Sequence, residues 1–242
     1  MSTKGRYESG IATTYDSVTT ETVGKLAPVV FYDDFTTSSL VVPAGGAAES
    51  GMVWTKKIVG AGPPTVGGAA GANGWMECAL EGSDQKQDAG LYMNDRLRFS
   101  IHQGLIFETK LIVSVIPTLL AEAVWGVCSA WADGPDTITY SAWFTADGSG
   151  LIYCETDDDT AVEKSVTSGV TVLNTVGHYY KIDMSDVTSI KFYIDGVRVA
   201  TTTTFACTAT ALVQPYLGLY KSTGVAVGTI AIDYVKLWQK RS

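Results

Sequence analysis

Ser189-Ile190-Lys191-Phe192-Tyr193-Ile194-Asp195-Gly196-Val197-Arg198-Val199-Ala200 reads as two short strands joined by a two-residue turn. Asp-Gly is the pairing that a type I′ hairpin favours, because both central residues must take positive φ. On either side of it Phe192, Ile194, Val197 and Val199 supply apolar surface to a sheet. The preceding stretch, residues 177–184, adds a further strand, and residues 197–203 complete a meander.

Moving outward from this hairpin, residues 229–238 close the chain as a strand. Strict alternation would put Ile230, Ile232, Tyr234 and Lys236 on one face and Ala231, Asp233, Val235 and Leu237 on the other. Upstream, residues 137–145 alternate cleanly, Ala146-Asp147-Gly148-Ser149-Gly150 is a turn signal, and residues 151–156 return as the hairpin partner. Asp157-Asp158-Asp159 makes the next turn, and residues 161–166 leave it. Earlier strands are predicted at 29–35, 75–80, 90–93, 97–100, 104–116 and 124–131. The stretch 104–116 is mostly apolar, as expected of a strand covered on both faces. Residues 117–122 read as a short helical turn or loop, and the Gly-rich stretch 59–74 as a long surface loop. Roughly a dozen short strands with regular turns predict an all-β, antiparallel β-sandwich or jelly roll.

The chain has 242 residues, 46% hydrophobic and 17% charged, which suffices for one substantial core and excludes wholesale disorder. A net charge of −8 provides no phosphate-neutralising surface, so nucleic acid is excluded as a partner. The most apolar stretch, residues 111–127, is interrupted by Ser114, Pro117, Thr118 and Glu122, so no membrane-spanning helix is expected. Residues 1–28 differ in kind: Ser, Thr, Gly and scattered charges without alternation, closed by Pro28. They are read as an extended N-terminal arm, with residues 29–242 forming the sandwich. No apolar h-region follows Lys4 and Arg6, so no secretory signal is visible. Cys78, Cys128, Cys154 and Cys207 are widely spaced and read as reduced thiols, with two disulfides as the alternative for a secreted chain. No N-x-[ST] acceptor occurs, which favours a non-secreted bacterial or viral origin.

Three segments resemble the concanavalin A-like lectin/glucanase superfamily. His178-Tyr179-Tyr180-Lys181-Ile182 matches its H-x-Y-x-I strand, residues 192–199 its F-Y-x-D-G-x-x-V hairpin, and Ile232-Asp233-Tyr234-Val235 its closing I-D-Y-V strand. Phe31-Tyr32-Asp33-Asp34-Phe35 is similar to the first strand of that superfamily, so the resemblance spans residues 29–241. It implies the jelly-roll fold, which hosts lectins, glycosidases, adhesion modules and virion proteins alike. It also implies where a glycosidase would keep its acids, as E-x-D-x-E on one strand. Glu155-Thr156-Asp157-Asp158-Asp159 has that spacing through Glu155, Asp157 and Asp159, but ends in Asp and sits where a hairpin turns, so it reads as a solvated acidic turn and no catalytic set is assigned. His102 and His178 read as plain strand or loop residues.

Exposed aromatic rings would stack on sugars, and Trp131, Trp143, Tyr216 and Tyr220 are the candidates. No cofactor is expected beyond a structural calcium, for which Asp33, Asp34 and Asp233 are the candidate ligands. In the arm, Tyr7, Ile11, Tyr15, Val18 and Val23 would anchor it on a partner. The sequence also resembles sandwich proteins among the structural genes of tailed bacteriophages. That implies a non-enzymatic, homo-oligomeric capsid decoration protein, made in the host cytoplasm and bound at the virion's capsid surface to the major capsid protein or another virion protein. The alternative is a carbohydrate-binding, lectin-like module with a glycan partner, and the third reading is a glycoside hydrolase.

Overall fold

A computed structural model describes residues 3–8, 11–16, 29–36, 54–69, 74–118, 120–160, 162–172 and 176–240. Along the chain the strands are β1 (Thr3–Glu8), β2 (Ile11–Asp16), β3 (Val29–Asp33), β4 (Thr55–Val59), β5 (Thr65–Ala69), β6 (Trp75–Leu80), β7 (Gln87–Tyr92), β8 (Phe99–Ser100) and β9 (Leu105–Val115). They continue with β10 (Ala121–Cys128), β11 (Ser141–Ala146), β12 (Leu151–Asp157), β13 (Val162–Thr171), β14 (His178–Met184), β15 (Lys191–Ile194), β16 (Val197–Val199), β17 (Leu212–Lys221) and β18 (Gly228–Gln239).

Two antiparallel sheets stack as a jelly-roll sandwich. The first runs β13-β12-β11-β10-β17-β7-β4, with β8 pairing the start of β17. The second runs β16-β15-β14-β9-β18-β6-β5, with β3 pairing the end of β18. Between them lies one apolar core in which aromatic rings meet edge to face: Trp125 against Tyr180 at 4.9 Å, Phe144 against Phe192 at 5.1 Å, and Phe192 against Phe205 at 4.8 Å. The hairpin at Asp195-Gly196 forms as expected, both residues having positive φ. Among the described residues no helix is long and apolar enough to cross a membrane.

Several local readings need correction. β9 is not covered equally on both faces. Its residues alternate between fully and partly buried, because only one face meets the core. β18 does not alternate strictly: its ladder to β9 slips between Ile232 and Tyr234, a bulge that inserts one residue. Ile230 and Ile232 therefore share the core with Val235 and Leu237, while Tyr234 and Lys236 turn outward. The Gly-rich stretch 59–74 is not a loop throughout, since β5 lies inside it and pairs with β6. β1 and β2 form a hairpin that pairs with neither large sheet, holding Tyr7, Ile11 and Tyr15 on its strands; Val18 and Val23 lie outside the described residues.

Candidate functional site

In the first sheet, alternation gives an inner face of Leu91, Leu217, Trp125 and Phe144 and an outer face of different chemistry. Across the outer face, Glu122 on β10 stands opposite Tyr220 on β17, which stands opposite Asp88 on β7. Four residues along, Tyr216 stands opposite Tyr92 on one side and Gly126 on the other; beyond Gly126 come Trp143 and Glu155. The ring of Tyr216 lies flat on the sheet because its neighbours are glycines. A Cβ at Gly90 or Gly218 would sit 2.9 or 2.8 Å from the Tyr216 hydroxyl.

Residues 129–140, which connect β10 to β11, fold back over this face as a strap. The indole of Trp131 lies 3.6 Å from the ring of Tyr216 at an interplanar angle of 6°. Trp131 Nε1 donates to Asp88 Oδ2 at 2.7 Å, and the Tyr216 hydroxyl donates to Asp88 Oδ1 at 2.8 Å. The backbone N–H of Trp131 and the side-chain amide of Gln214 both donate to Asp95 Oδ1, at 2.8 and 2.7 Å. Farther along, the strap passes so close to Tyr220 that a Cβ at Gly134 would be 2.6 Å from its ring. Trp131, Ile138, Trp143, Tyr216, Tyr92, Val124 and Cys128 thus form a second, smaller apolar cluster outside the sheet. Two lysines reach the strap from opposite sides: Lys86, just before β7, pairs with Asp133 at 2.8 Å, and Lys164 of β13 pairs with Asp136 at 3.0 Å.

Three carboxyl groups sit in this face. Burial pushes Asp88 up to about 6, although hydrogen bonds from Tyr216 and Trp131 and the nearby Lys57 charge act against it. Glu122 is pushed up to about 8, by burial first and then by the negative charges of Glu155, Asp136 and Asp147, which outweigh a hydrogen bond with Thr145. Glu155, 7% exposed, accepts from Trp143 Nε1 at 3.1 Å and from the backbone N–H of Ser165 at 2.9 Å. The face therefore holds one carboxyl that is protonated at neutral pH beside others that are fixed by donors, an arrangement able to both donate and accept hydrogen bonds.

The catalytic and sugar-stacking candidates singled out by sequence fall in and around this site, with changes of role. Glu155 is not part of a solvated turn but of β12, whereas Asp159 lies past the strand in an exposed left-handed turn at φ 67. Asp157 ends the strand half-buried, and Asp158 is buried, donated to by the Thr208 backbone N–H at 2.8 Å. The E-x-D-x-E spacing is thus broken by the turn. Trp131, Trp143 and Tyr216 are brought together, yet each is less than a tenth exposed, so they build the site and offer no open ring to a ligand. Tyr220 remains half-buried at its edge. Sequence reasoning passed over Asp88 and Glu122. Their signal was a single acid at an outward position of an otherwise apolar strand.

The calcium candidates do not converge on one ion. Asp33 accepts from Trp54 Nε1 and the Phe35 N–H, both at 2.9 Å, Asp34 from Thr36, and Asp233 pairs with Lys110 at 2.6 Å. Among the described residues no group of three acidic, histidine or cysteine side chains is placed to hold a metal. All four cysteines are free and buried, and burial raises each thiol above its ordinary range. His178, read as a plain strand residue, bonds through Nδ1 to Asp195 at 2.6 Å and clamps the hairpin turn. His102 is exposed on a short turn.

No protein-family model and no curated protein sequence matches the chain. Solved structures do. A protein of unknown function from Shewanella oneidensis MR-1 aligns over 92% of this chain and 91% of its own, at 12% identity and a TM-score of 0.57. The Bacillus licheniformis β-glucanase aligns over 88% and 98%, at 15% identity and a TM-score of 0.53. The carbohydrate recognition domain of Emp47p aligns over 78% and 89%, at 10% identity and a TM-score of 0.50. The fold is accordingly that of the concanavalin A-like lectins and glucanases. The expectation of a non-enzymatic chain is corrected by the same finding, because its structural neighbours include glycoside hydrolases.

Proposed function

We propose that the protein recognises carbohydrate on the outer face of its first sheet. The observation that carries this reading is the half-buried carboxyl of Glu122 opposite the half-buried Tyr220, on a sheet face whose buried acids Asp88 and Glu155 are held in place by tryptophan and tyrosine donors. Sugar hydroxyls need both acceptors and donors, and their C–H faces pack on aromatic rings. Half-buried Tyr153 and Tyr220 supply rings beside the half-buried Glu122. The carbohydrate-related names of the solved neighbours support this reading over capsid decoration. A glycan array with the full chain tests it: Tyr220→Ala and Tyr153→Ala should each weaken a positive signal at least tenfold without lowering the melting temperature appreciably. Unchanged binding in both variants would move the site elsewhere.

One observation favours a second reading, glycoside hydrolysis. A glutamic acid still protonated at neutral pH is the state a general acid needs to protonate a leaving oxygen, and Glu122 has it. Release of reducing ends from β-linked glucans and galactans, abolished by Glu122→Gln, is the expected outcome. Activity that survives Glu122→Gln would remove Glu122 from that role.

A further inference from the structure

We propose that the strap shuts the outer face to an internal stretch of polysaccharide, so that the site takes the end of a neutral glycan chain. This deepens the carbohydrate reading and rests on it. A polymer crossing a sheet face needs that face free from one edge strand to the other. Here Trp131 and Ile138 are buried in the apolar cluster over the middle of it, and the ion pairs Lys86–Asp133 and Lys164–Asp136 extend the obstruction towards both sides.

The strap is also fixed rather than loosely laid. Trp131 is held by a parallel stack, by its indole N–H on Asp88 and by its backbone N–H on Asp95, and the strap's two ends are tied by the Ser129 N–H donating to the Tyr140 carbonyl at 2.8 Å. Opening it would break these bonds and expose an indole to water, which no exposed ion pair would offset. What remains partly accessible lies on one side of the strap: Glu122 and Tyr220 in one row, Tyr153 and Leu151 beyond, and the exposed turn at Asp147. That area suits one or a few sugar units. The exposed carboxylates at its border, Asp136 and Asp147, repel a uronate or sulfated sugar, and the protonated Glu122 offers a donor to a neutral hydroxyl, which together select a ligand without negative charge.

The test is calorimetric titration of the full chain with laminarin, cellulose-derived, galactan-derived and chitin-derived hexaoses and with soluble polymers of the same linkages. The expected result is a stoichiometry of one protein per chain end whatever the polymer length, and loss of binding when the recognised end is chemically capped. A number of bound proteins that rises with polymer length at fixed end concentration overturns the inference while leaving carbohydrate recognition standing. Absence of binding to every hexaose and polymer overturns both. As a second readout, Trp131→Ala should convert end-limited into length-dependent stoichiometry; if that variant does not fold, the wild-type comparison still decides.

Discussion

The indole of Trp131 and the phenol of Tyr216, nearly parallel and 3.6 Å apart, share the two oxygens of a single carboxylate, Asp88. The stack covers the apolar faces and the carboxylate satisfies both polar edges, so the three side chains form one unit. Removing only the N–H should cost less than removing the ring. Trp131→Phe leaves one oxygen of Asp88 without its donor, worth about 1–3 kcal/mol. Trp131→Ala also empties the indole's place, worth about 3–5 kcal/mol. Urea unfolding of the two variants checks the order; equal losses would mean that the hydrogen bond, and not the ring, holds the strap.

Asp88 and Glu122 should together give the protein an unusual stability profile. Both carboxyls are raised in the folded state, to about 6 and about 8. The folded chain thus binds these protons more tightly than the unfolded chain does, and stability falls as pH rises. For Asp88 the loss begins near the ordinary carboxylate range and is complete above about 6; for Glu122 it continues to about 8. Urea midpoints measured from pH 4 to pH 9 should decline, and Glu122→Gln should flatten the upper part of the decline. A midpoint that climbs across this range in the wild type would contradict both assignments.

Lys221 illustrates how a charge is kept inside the fold. Fully buried at 0% exposure, its ammonium donates to the carbonyls of Glu81, Ser83 and Ala226 at 2.6, 2.8 and 2.9 Å. It ties the segment before β7 to the turn before β18. Lys221→Met should leave those carbonyls unpaired at about 1–3 kcal/mol for a buried group, and more if several stay dry. Thermal unfolding should register the loss, and protease sensitivity should rise first at residues 81–86 and 222–227.

How much of this was legible in sequence depended on how local the signal was. The Asp195-Gly196 hairpin was readable because two adjacent residues determine it. β17, at the centre of the first sheet, was not, because Pro215 argues against a central strand. The structure resolves the conflict: β17 pairs β8 through residues 212 and 213 and β7 from Tyr216 onward, so Pro215 lies in the gap where one side has no partner. The bulge at Asp233-Tyr234 likewise depends on the partner strand and leaves no mark in the composition of β18. At the site, the aromatic residues were found but their exposure was misjudged. Whether Trp131 lies open or folds back over Tyr216 is decided by Asp88, more than forty residues earlier in the chain.

Two glycines separate backbone strain from crowding. Gly196 has φ +79, and a Cβ there would meet no atom within 4 Å. Gly196→Ala should therefore cost only the left-handed backbone penalty, about 1–2 kcal/mol. At Gly218 a Cβ would lie 2.6 Å from the Ala89 carbonyl oxygen, 2.7 Å from the Gly90 Cα and 2.8 Å from the Tyr216 hydroxyl. The first two contacts are backbone and cannot yield without parting β17 from β7. Gly218→Ala must consequently displace the Tyr216 ring as well, and with it Trp131 and the strap. Its loss of stability should exceed that of Gly196→Ala and should be accompanied by a change in near-ultraviolet circular dichroism from the disturbed stack. If the two variants lose equal stability and Gly218→Ala leaves that spectrum untouched, the close seating of Tyr216 on the sheet is not what holds the strap in place.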